Sequence, residues 1–197
     1  MKTQSFYTRR IHPIVIMALV SIACILVTAT LHLTTLERVQ TNEQFFVWRS
    51  VLDAAGVDHD GQPASVAALF EDGVSVQQDI YHVERPDGSL RYVRQIIGPG
   101  LWGPITVMVG FEDDLTTLSG VSIVSQNETP GLGARIEEAW FTGQFIGRQG
   151  PFRMVEEGTS EADDEMDAIT GATRTSEAFR DIINRAVAES DSIARGQ

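Results

Sequence analysis

Cysteine is almost absent from this 197-residue chain, since Cys24 is the only one. It lies inside a long apolar stretch near the N-terminus, so the rest of the chain has no thiol. Disulfides, cysteine-ligated metal sites and thiol catalysis are therefore excluded from everything that follows this stretch. Cysteine pairing likewise gives no information on the redox compartment.

Acidic residues are missing from the first 35 positions, whereas they outnumber basic residues 27 to 12 in the rest of the chain. All 27 Asp and Glu residues follow residue 35, whereas Lys2, Arg9 and Arg10 precede the apolar stretch. An acidic surface repels phosphate backbones, and no basic patch with interleaved aromatic residues offsets that repulsion. We therefore predict no nucleic-acid partner, and anionic lipid headgroups are poor partners for this surface.

Metal-ligand patterns are also missing. The four histidines have no mutual ligand spacing, and a lone histidine is more often packed or solvated than metal-bound; they are His12, His32, His59 and His82. The acidic residues of segment 156–167 are expected to be solvated, as acid runs in loops usually are; among them are Glu161, Asp163, Asp164, Glu165 and Asp167. We predict no metal site.

The apolar stretch Ile14–Leu33 has about the 20 residues that a membrane-spanning helix needs. A cleaved signal peptide usually has a shorter apolar core, of about 7–15 residues, and a lipoprotein signal at Cys24 is weak because Ser21 fits the cleavage pattern poorly. The basic residues before the stretch favour a cytoplasmic N-terminus. We predict a tip and transmembrane helix in residues 1–35, one helix in contact with membrane lipid, and an extracytoplasmic domain in residues 36–197.

Local patterns predict helices and turns in the first part of the domain. Phe45, Trp48, Leu52 and Ala55 recur at helical spacing, and Gly56 can end that helix in a left-handed conformation. A short helix is predicted over 65–71, followed by extended chain at Val74, Val76, Ile80 and Val83. Residues 86–89, Pro-Asp-Gly-Ser, form a strong turn signal.

An antiparallel sheet and a terminal helix are predicted for the remainder. Segments 90–97, 105–111 and 118–125 are rich in β-branched residues and are separated by turn residues. We expect a short helix around Trp140, Phe141 and Phe145, a strand over 152–155 and an acidic loop over 156–167. From Glu177 onward one apolar stripe runs along a helix. The predicted fold class is therefore α+β, a single domain with a mainly antiparallel sheet and flanking helices.

Small and hydroxyl residues crowd the start of the terminal helix. The first turn of a helix has unpaired N–H groups and a partial positive charge, and Gly171 and Ala172 let a ligand approach the backbone. Thr175 or Ser176 is expected to cap this helix. Taken by residue type alone, the segment predicts either an anion site or an ordinary capped helix.

The segment Asp167-x-x-Thr170-Gly171-Ala172-Thr173 resembles the flavinylation motif, Asp-x-x-Ser/Thr-Gly-Ala-Thr, of FMN-binding subunits of sodium-pumping NADH:quinone reductases and related Rnf complexes. In those families a dedicated flavin transferase esterifies the last threonine to the FMN phosphate. The resemblance implies a covalent FMN phosphoester at Thr173, with the flavin transferase as a maturation partner. Arg174 replaces the usual apolar residue and would place a cation near the phosphate.

Two further segments extend the resemblance. Residues 128–133, Glu-Thr-Pro-Gly-Leu-Gly, resemble a loop that both families place beside the flavin, although a simple Pro-Gly turn is the alternative. Residues 100–105, Gly-Leu-Trp-Gly-Pro-Ile, resemble a segment typical of the C-type subunit of the sodium pump, where Trp102 either covers the flavin or packs in the core. The candidate cofactor-binding residues are Trp102, Glu128, Thr129, Leu132, Gly133, Thr170, Gly171, Ala172, Thr173, Arg174, Thr175 and Ser176.

The resemblance implies an electron-transfer subunit of a sodium-translocating NADH:quinone oxidoreductase, with other membrane subunits as partners. It implies no catalytic residue and no separate substrate site in this chain. Three alternatives remain at this point: an Rnf-type subunit, a stand-alone extracytoplasmic flavin reductase, and a membrane-anchored adaptor without flavin.

Overall fold

The structure is a computed structural model that describes residues 11–194, without the side chains of residues 37, 38, 40 and 191–194. The chain divides into two compact units, Met1–Gln44 and Phe45–Gln197. The basic residues Lys2, Arg9 and Arg10, on which the predicted orientation depends, lie outside the described residues.

The first element is helix α1, His12–Ala55. Its segment His12–Leu36 is the one helix in residues 11–194 that is long and apolar enough to cross a membrane. Apolar side chains such as Ile14, Met17 and Leu33 are exposed along it. These features agree with the predicted anchor helix. The helix ends as predicted, since Gly56 has a φ of +68° and its N–H donates to the Asp53 carbonyl.

A five-stranded antiparallel meander forms the centre of the second unit, as predicted. Helix α2, Pro63–Gly73, leads into the sheet. The strands are β1 Val74–Gln77, β2 Ile80–Glu84, β3 Leu90–Pro99, β4 Pro104–Phe111 and β5 Leu118–Ser125, and they pair in chain order. Residues 86–89 form the predicted turn between β2 and β3, closed by a hydrogen bond from the Arg85 N–H to the Ser89 carbonyl.

Side chains of β4 alternate between two hydrophobic cores. Ile105, Val107 and Phe111 belong to one core, and Met108 belongs to the other. On the Met108 side the sheet packs against the end of α1 and against α2, where the Trp48 and Phe70 rings stack with centroids 5.2 Å apart. Because both faces are covered, β4 is buried along nearly its whole length.

Helix α4, Thr173–Ala194, covers the opposite face of the sheet. The predicted stripe is confirmed, because all of its members are buried in the same core: Phe179, Ile182, Ile183, Ala186 and Val187. A 3-10 helix, Gly133–Glu137, and α3, Ala139–Gly143, complete this side. A side chain at Gly98 of β3 would collide with Ile182, which shows how closely α4 lies on the sheet.

Two regions differ from the predictions. The extended chain at 74–83 is a hairpin that turns at Gln78 and Asp79, both with positive φ (49° and 62°), and no Gly or Asn marks that turn. The predicted loop 156–167 is not loop to its end, because β7, Glu165–Asp167, pairs in parallel with β6, Arg153–Val155.

The expectation that the acidic residues of 156–167 are all solvated is wrong. Glu165 is buried, and one of its carboxylate oxygens accepts hydrogen bonds from the N–H groups of Glu161 and Ala162. A carboxylate can satisfy loop amides that no strand or helix pairs, so this residue shapes the loop that it ends.

Candidate functional site

The start of α4 exposes Thr173 and Arg174 to solvent, whereas the residues that flank this pair are buried. Thr173 is exposed, and Ala172, Thr175 and Ser176 are buried. Gly171, with a φ of +82°, turns the chain into the helix. The first intrahelical bond runs from the Ser176 N–H to the Ala172 carbonyl, so the N–H groups of Thr173, Arg174 and Thr175 precede the bonded turns of the helix.

The prediction that Thr175 or Ser176 caps α4 is wrong. The Ser176 hydroxyl accepts a hydrogen bond from the Ile169 N–H (2.9 Å) and donates to the Ala172 carbonyl (3.1 Å). It therefore fastens the motif loop to the second turn of the helix and does not bond a first-turn amide. The Thr175 hydroxyl donates instead to Glu128, 47 residues earlier in the chain.

Glu128 joins the three segments that carry the family resemblance. One of its carboxylate oxygens, Oε1, accepts from the N–H groups of Leu101 (2.8 Å) and Trp102 (3.2 Å). The other, Oε2, accepts from the Thr175 hydroxyl at 2.6 Å. The Glu128 residue is 4% exposed. Segments 100–103, 128–133 and 170–176 thus meet at one buried carboxylate.

The Glu-Thr-Pro-Gly-Leu-Gly segment forms a tight loop beside the motif. The N–H groups of Leu132 and Ala134 both donate to the Thr129 carbonyl, and Gly131 has a φ of +74°. Leu132 is 45% exposed. A Cβ at Gly171 would lie 3.3 Å from the Leu132 side chain, so this leucine borders the turn that leads to Thr173.

An ion pair holds the other side of the motif. Glu157 accepts from the Thr170 N–H at 2.7 Å and from the Arg135 guanidinium at 3.1 Å. The Arg135 guanidinium also lies 5.4 Å from the centre of the Trp140 ring. The Thr170 amide and the Arg135 side chain lower the pKa of Glu157 to about 2. The motif's own Asp167 faces a different loop, where its carboxylate accepts from the N–H groups of Thr159 and Ser160.

The candidate residues fall into two sets. An exposed set faces solvent: Trp102, Thr129, Leu132, Thr170, Gly171, Thr173 and Arg174. A buried set supports it from beneath: Glu128, Gly133, Ala172, Thr175 and Ser176. Trp102 is 68% exposed, so the alternative of a core tryptophan is wrong. Direct cofactor contact remains a prediction for every member of both sets.

A groove of about 540 Å³ runs between Leu101 and the first turns of α4, and Arg174, Ala178 and Ile182 also line it. A larger groove, of about 660 Å³, lies between the end of α1, β5 and α3 and contains none of the motif residues. The smaller groove is the better candidate for a ligand, because Arg174, the residue after Thr173, lines it next to an apolar wall. Two acidic residues and a second arginine complete its charged lining: Glu177, Asp181 and Arg185.

Sequence patterns missed Glu157 and Gln144. The Gln144 side chain accepts from the Asp167 N–H at 2.7 Å, and Glu157 accepts from Thr170, so both hold the motif's backbone. No motif marks them, because Glu157 bonds a residue 13 positions away and Gln144 bonds a residue 23 positions away. One sequence feature could have indicated Glu157, because it is an acidic residue in the loop just before the motif.

Known proteins resemble this chain in both sequence and fold. Residues 100–188 match the family profile described as FMN-binding domain. The chain is 28% identical over 180 residues to the G-type subunit of the ion-translocating oxidoreductase complex of Methanosarcina acetivorans, covering 91% of this chain and 92% of that protein. It is 33% identical over 105 residues to the C-type subunit of the Na(+)-translocating NADH-quinone reductase of Vibrio anguillarum. That match covers 49% of this chain and only 41% of the relative's length.

Solved structures share the fold. The crystal structure of the C-type subunit of the Na(+)-translocating NADH-quinone reductase from Parabacteroides distasonis matches with a TM-score of 0.69, at 22% identity. The match covers 80% of this chain and 96% of that one. The corresponding structure from Shewanella oneidensis matches with a TM-score of 0.61, at 20% identity. The predicted fold class, an apolar N-terminal helix before an antiparallel sheet with helices, is therefore confirmed.

The depressed pKa of Glu157 predicts a pH dependence of stability. Because the folded-state pKa lies near 2, below the ordinary value of 4.5, ionised Glu157 stabilises the fold above about pH 4.5, and this contribution is lost as pH falls toward 2. Replacement by Gln, Glu157→Gln, should lower the melting temperature of the full chain at pH 7, and the deficit should vanish near pH 2. The exposed neighbour Glu156→Gln is the control, since surface substitutions usually change stability by less than about 0.5 kcal/mol. A deficit of equal size at pH 7 and pH 2 would contradict the assignment.

Proposed function

We propose that this chain is the FMN-carrying electron-transfer subunit of an ion-translocating oxidoreductase complex, because its residues 100–188 match the FMN-binding domain profile. One observation carries the proposal. The residue that closes the Thr-Gly-Ala-Thr motif, Thr173, is the exposed first residue of a long helix, while the buried hydroxyls of Thr175 and Ser176 are both engaged inside the protein.

Thr173 is proposed to hold the cofactor covalently. Its Oγ1 would lose a proton and form a phosphoester bond to the flavin-bearing phosphorus of a flavin dinucleotide donor. The pyrophosphate P–O bond of the donor would break, and a nucleoside monophosphate would leave with the proton, with a flavin transferase as the partner that binds the donor and catalyses this step. The leading N–H groups of α4 and the helix dipole favour a negative phosphate at this point. Arg174, with a side chain that is 79% exposed and lies 3.6 Å from the Glu177 carboxylate, adds a cation next to the phosphoester. Because Thr173 attaches the cofactor, it takes no part in electron transfer itself.

The surroundings of Thr173 suit a flat, largely apolar ring system. Bound FMN supplies the redox chemistry, because its isoalloxazine ring accepts and donates electrons. Leu132 and Trp102 expose apolar side chains beside the motif and would shield such a ring from water on part of its surface. The Leu101 side of the 540 Å³ groove offers a second apolar wall. None of these residues is proposed to be catalytic.

The complex is proposed to be either a Na+-translocating NADH:quinone reductase or an Rnf-type complex, with its other membrane subunits as partners. Resemblance of segment 100–105 to the C-type subunit favours the first. The match along 92% of the G-type relative, against 41% of the C-type relative, favours the second. Copurification from native membranes discriminates them: quinone-reductase subunits support the first, ferredoxin-linked subunits support the second, and recovery of the chain alone would favour a stand-alone reductase.

The domain that carries Thr173 is proposed to lie outside the cytoplasm, with α1 as a single anchor in the cytoplasmic membrane. The basic residues support this, because Lys2, Arg9 and Arg10 precede the apolar stretch, whereas the flank after it, Glu37-Arg38, is balanced. Replacing the lone thiol by Cys24→Ser and introducing Asp163→Cys in the exposed loop gives one reporter. An impermeant maleimide should label it in intact spheroplasts. Labelling only after lysis would place the domain in the cytoplasm.

The covalent link is tested by coexpressing the full chain with a flavin transferase and viewing flavin fluorescence in a denaturing gel. Wild type should fluoresce, whereas Thr173→Ala should lose the signal completely, since no other hydroxyl occupies the attachment position. The control is Thr159→Ala, an exposed threonine of the neighbouring loop. It should keep the wild-type signal.

Peptide mass mapping completes this test. The adduct should lie on the peptide that contains Thr173 and be absent from peptides elsewhere. A fluorescent band that persists in Thr173→Ala would move the attachment to another residue. A wild-type chain that never acquires fluorescence would instead favour the adaptor without flavin.

A further inference from the structure

We propose that Glu128 is a positioning residue of the flavin site. Its buried carboxylate fixes the loop that carries Trp102 relative to the helix turn that begins at Thr173. The hydrogen bonds that Glu128 accepts from Leu101, Trp102 and Thr175 are called the tie. This inference rests on the proposed function, because it assigns the tie a role toward a flavin attached to Thr173.

The hydrogen bonds of Glu128 come from two segments far apart in the chain. Leu101 and Trp102 lie 27 and 26 residues before it, and Thr175 lies 47 residues after it. Both oxygens act only as acceptors, as in an ionised carboxylate, and such bonds are roughly twice as strong as those between neutral groups. A carboxylate that is 4% exposed requires these partners, because an unpaired buried charge is strongly unfavourable.

Two glycines leave the space that the carboxylate occupies. A Cβ at Gly100 would lie 2.5 Å from Glu128 Oε1. A Cβ at Gly133 would lie 2.8 Å from Oε2 and 2.7 Å from the Thr175 hydroxyl. Real side chains do not approach so closely, so both glycines are needed for the tie as it stands. Segments 100–103 and 128–133 therefore each supply a glycine that makes room for the tie, and segment 170–176 supplies the donor Thr175.

Hydrogen bonds rather than packing determine where Trp102 lies: the Gly100 N–H donates to the Gly103 carbonyl and closes the turn between β3 and β4, and Glu128 connects that turn to α4. The Trp102 side chain is 68% exposed and its neighbour Leu101 is 52% exposed, so neither is held by the core. Their backbone N–H groups are held by Glu128, which is in turn held by Thr175. Thr175 is two residues from Thr173 in the same helical turn. The Glu128 carboxylate therefore sets the position of the Trp102 indole relative to a ring attached at Thr173.

Direct contact between Glu128 and the flavin is the competing interpretation. Both oxygens are already engaged and the residue is buried, whereas the neighbouring Thr129 and Leu132 are exposed. The geometry therefore favours action through the loop. The two interpretations differ in the effect of Thr175→Val, which leaves the Glu128 carboxylate in place. Action through the loop predicts that amide exchange and flavin properties change together in this variant, whereas direct contact predicts that the flavin responds to loss of the carboxylate in Glu128→Ala independently of the loop.

The first measurement is hydrogen–deuterium exchange of the full chain without flavin. Because each bond to a charged acceptor strongly protects its amide, Glu128→Ala should speed exchange of the Leu101 and Trp102 amides by about tenfold. Thr175→Val, which keeps the shape of the side chain but removes the donor, should change exchange in the same direction with less risk to folding. Thr175→Ser retains the hydroxyl and should restore wild-type protection. The Thr170 amide, which is bonded to Glu157, is the internal control.

The second measurement uses the flavinylated chain. The visible spectrum and midpoint potential of the attached flavin should shift in Glu128→Ala and Thr175→Val, but not in Thr175→Ser. Glu161→Gln removes one exposed acidic charge from the loop before the motif and should shift neither property.

Three results would overturn the positioning role. The first is unchanged exchange of the Leu101 and Trp102 amides in both Glu128→Ala and Thr175→Val. The second is equally faster exchange of the Thr170 amide, which would indicate general loosening. The third is a flavin shift without an exchange change, which would indicate direct contact. Absence of any flavin adduct on the wild-type chain would instead overturn the proposed function, while the exchange experiment would still decide whether Glu128 anchors the loop.

Discussion

The structure depends on a sheet that is buried on both faces. Strand β4 sends Ile105, Val107 and Phe111 to one core and Met108 to the other, so each face must be covered by helices. The end of α1 and α2 cover one face, and α4 covers the other. Gly110 allows the end of α1 to lie close to the sheet, because a side chain at this position would collide with the Ala54 carbonyl of α1. The position of α4, and with it the position of Thr173, follows from this packing.

Burial of α4 divides the motif between anchoring and presentation. Ile182 and Phe179 hold the helix on the core, and Glu128 connects its first turn to the turn between β3 and β4. There the buried hydroxyls of Thr175 and Ser176 are used for internal bonds, and only Thr173 and Arg174 face outward. The protein can therefore expose the Thr173 hydroxyl for attachment while the loop before it stays fixed, because buried side chains bond the polar groups of that loop.

The sequence predicted those features that repeat or match a motif. Strands β3 to β5 follow from β-branched composition between turn residues, and the apolar stripe of α4 follows from helical periodicity. The three site segments follow from resemblance. The hairpin at Gln78 and Asp79 escaped prediction because its turn uses left-handed residues other than glycine or asparagine. Strand β7 escaped because its pairing with β6 is made between short segments with no alternation. The meeting of segments at Glu128 is a tertiary property, since its partners lie 26 to 47 residues away.

Helix N-termini with nearby hydroxyls are common, so the identity of the chain's ligand depends on a covalent bond rather than on the shape of a pocket. The most direct measurement is the intact mass of the chain purified from the native membrane under denaturing conditions. We expect the mass of the polypeptide plus one FMN less one water, with the added mass on the peptide that contains Thr173. The mass of the bare polypeptide alone, from a preparation that contains the flavin transferase, would contradict it.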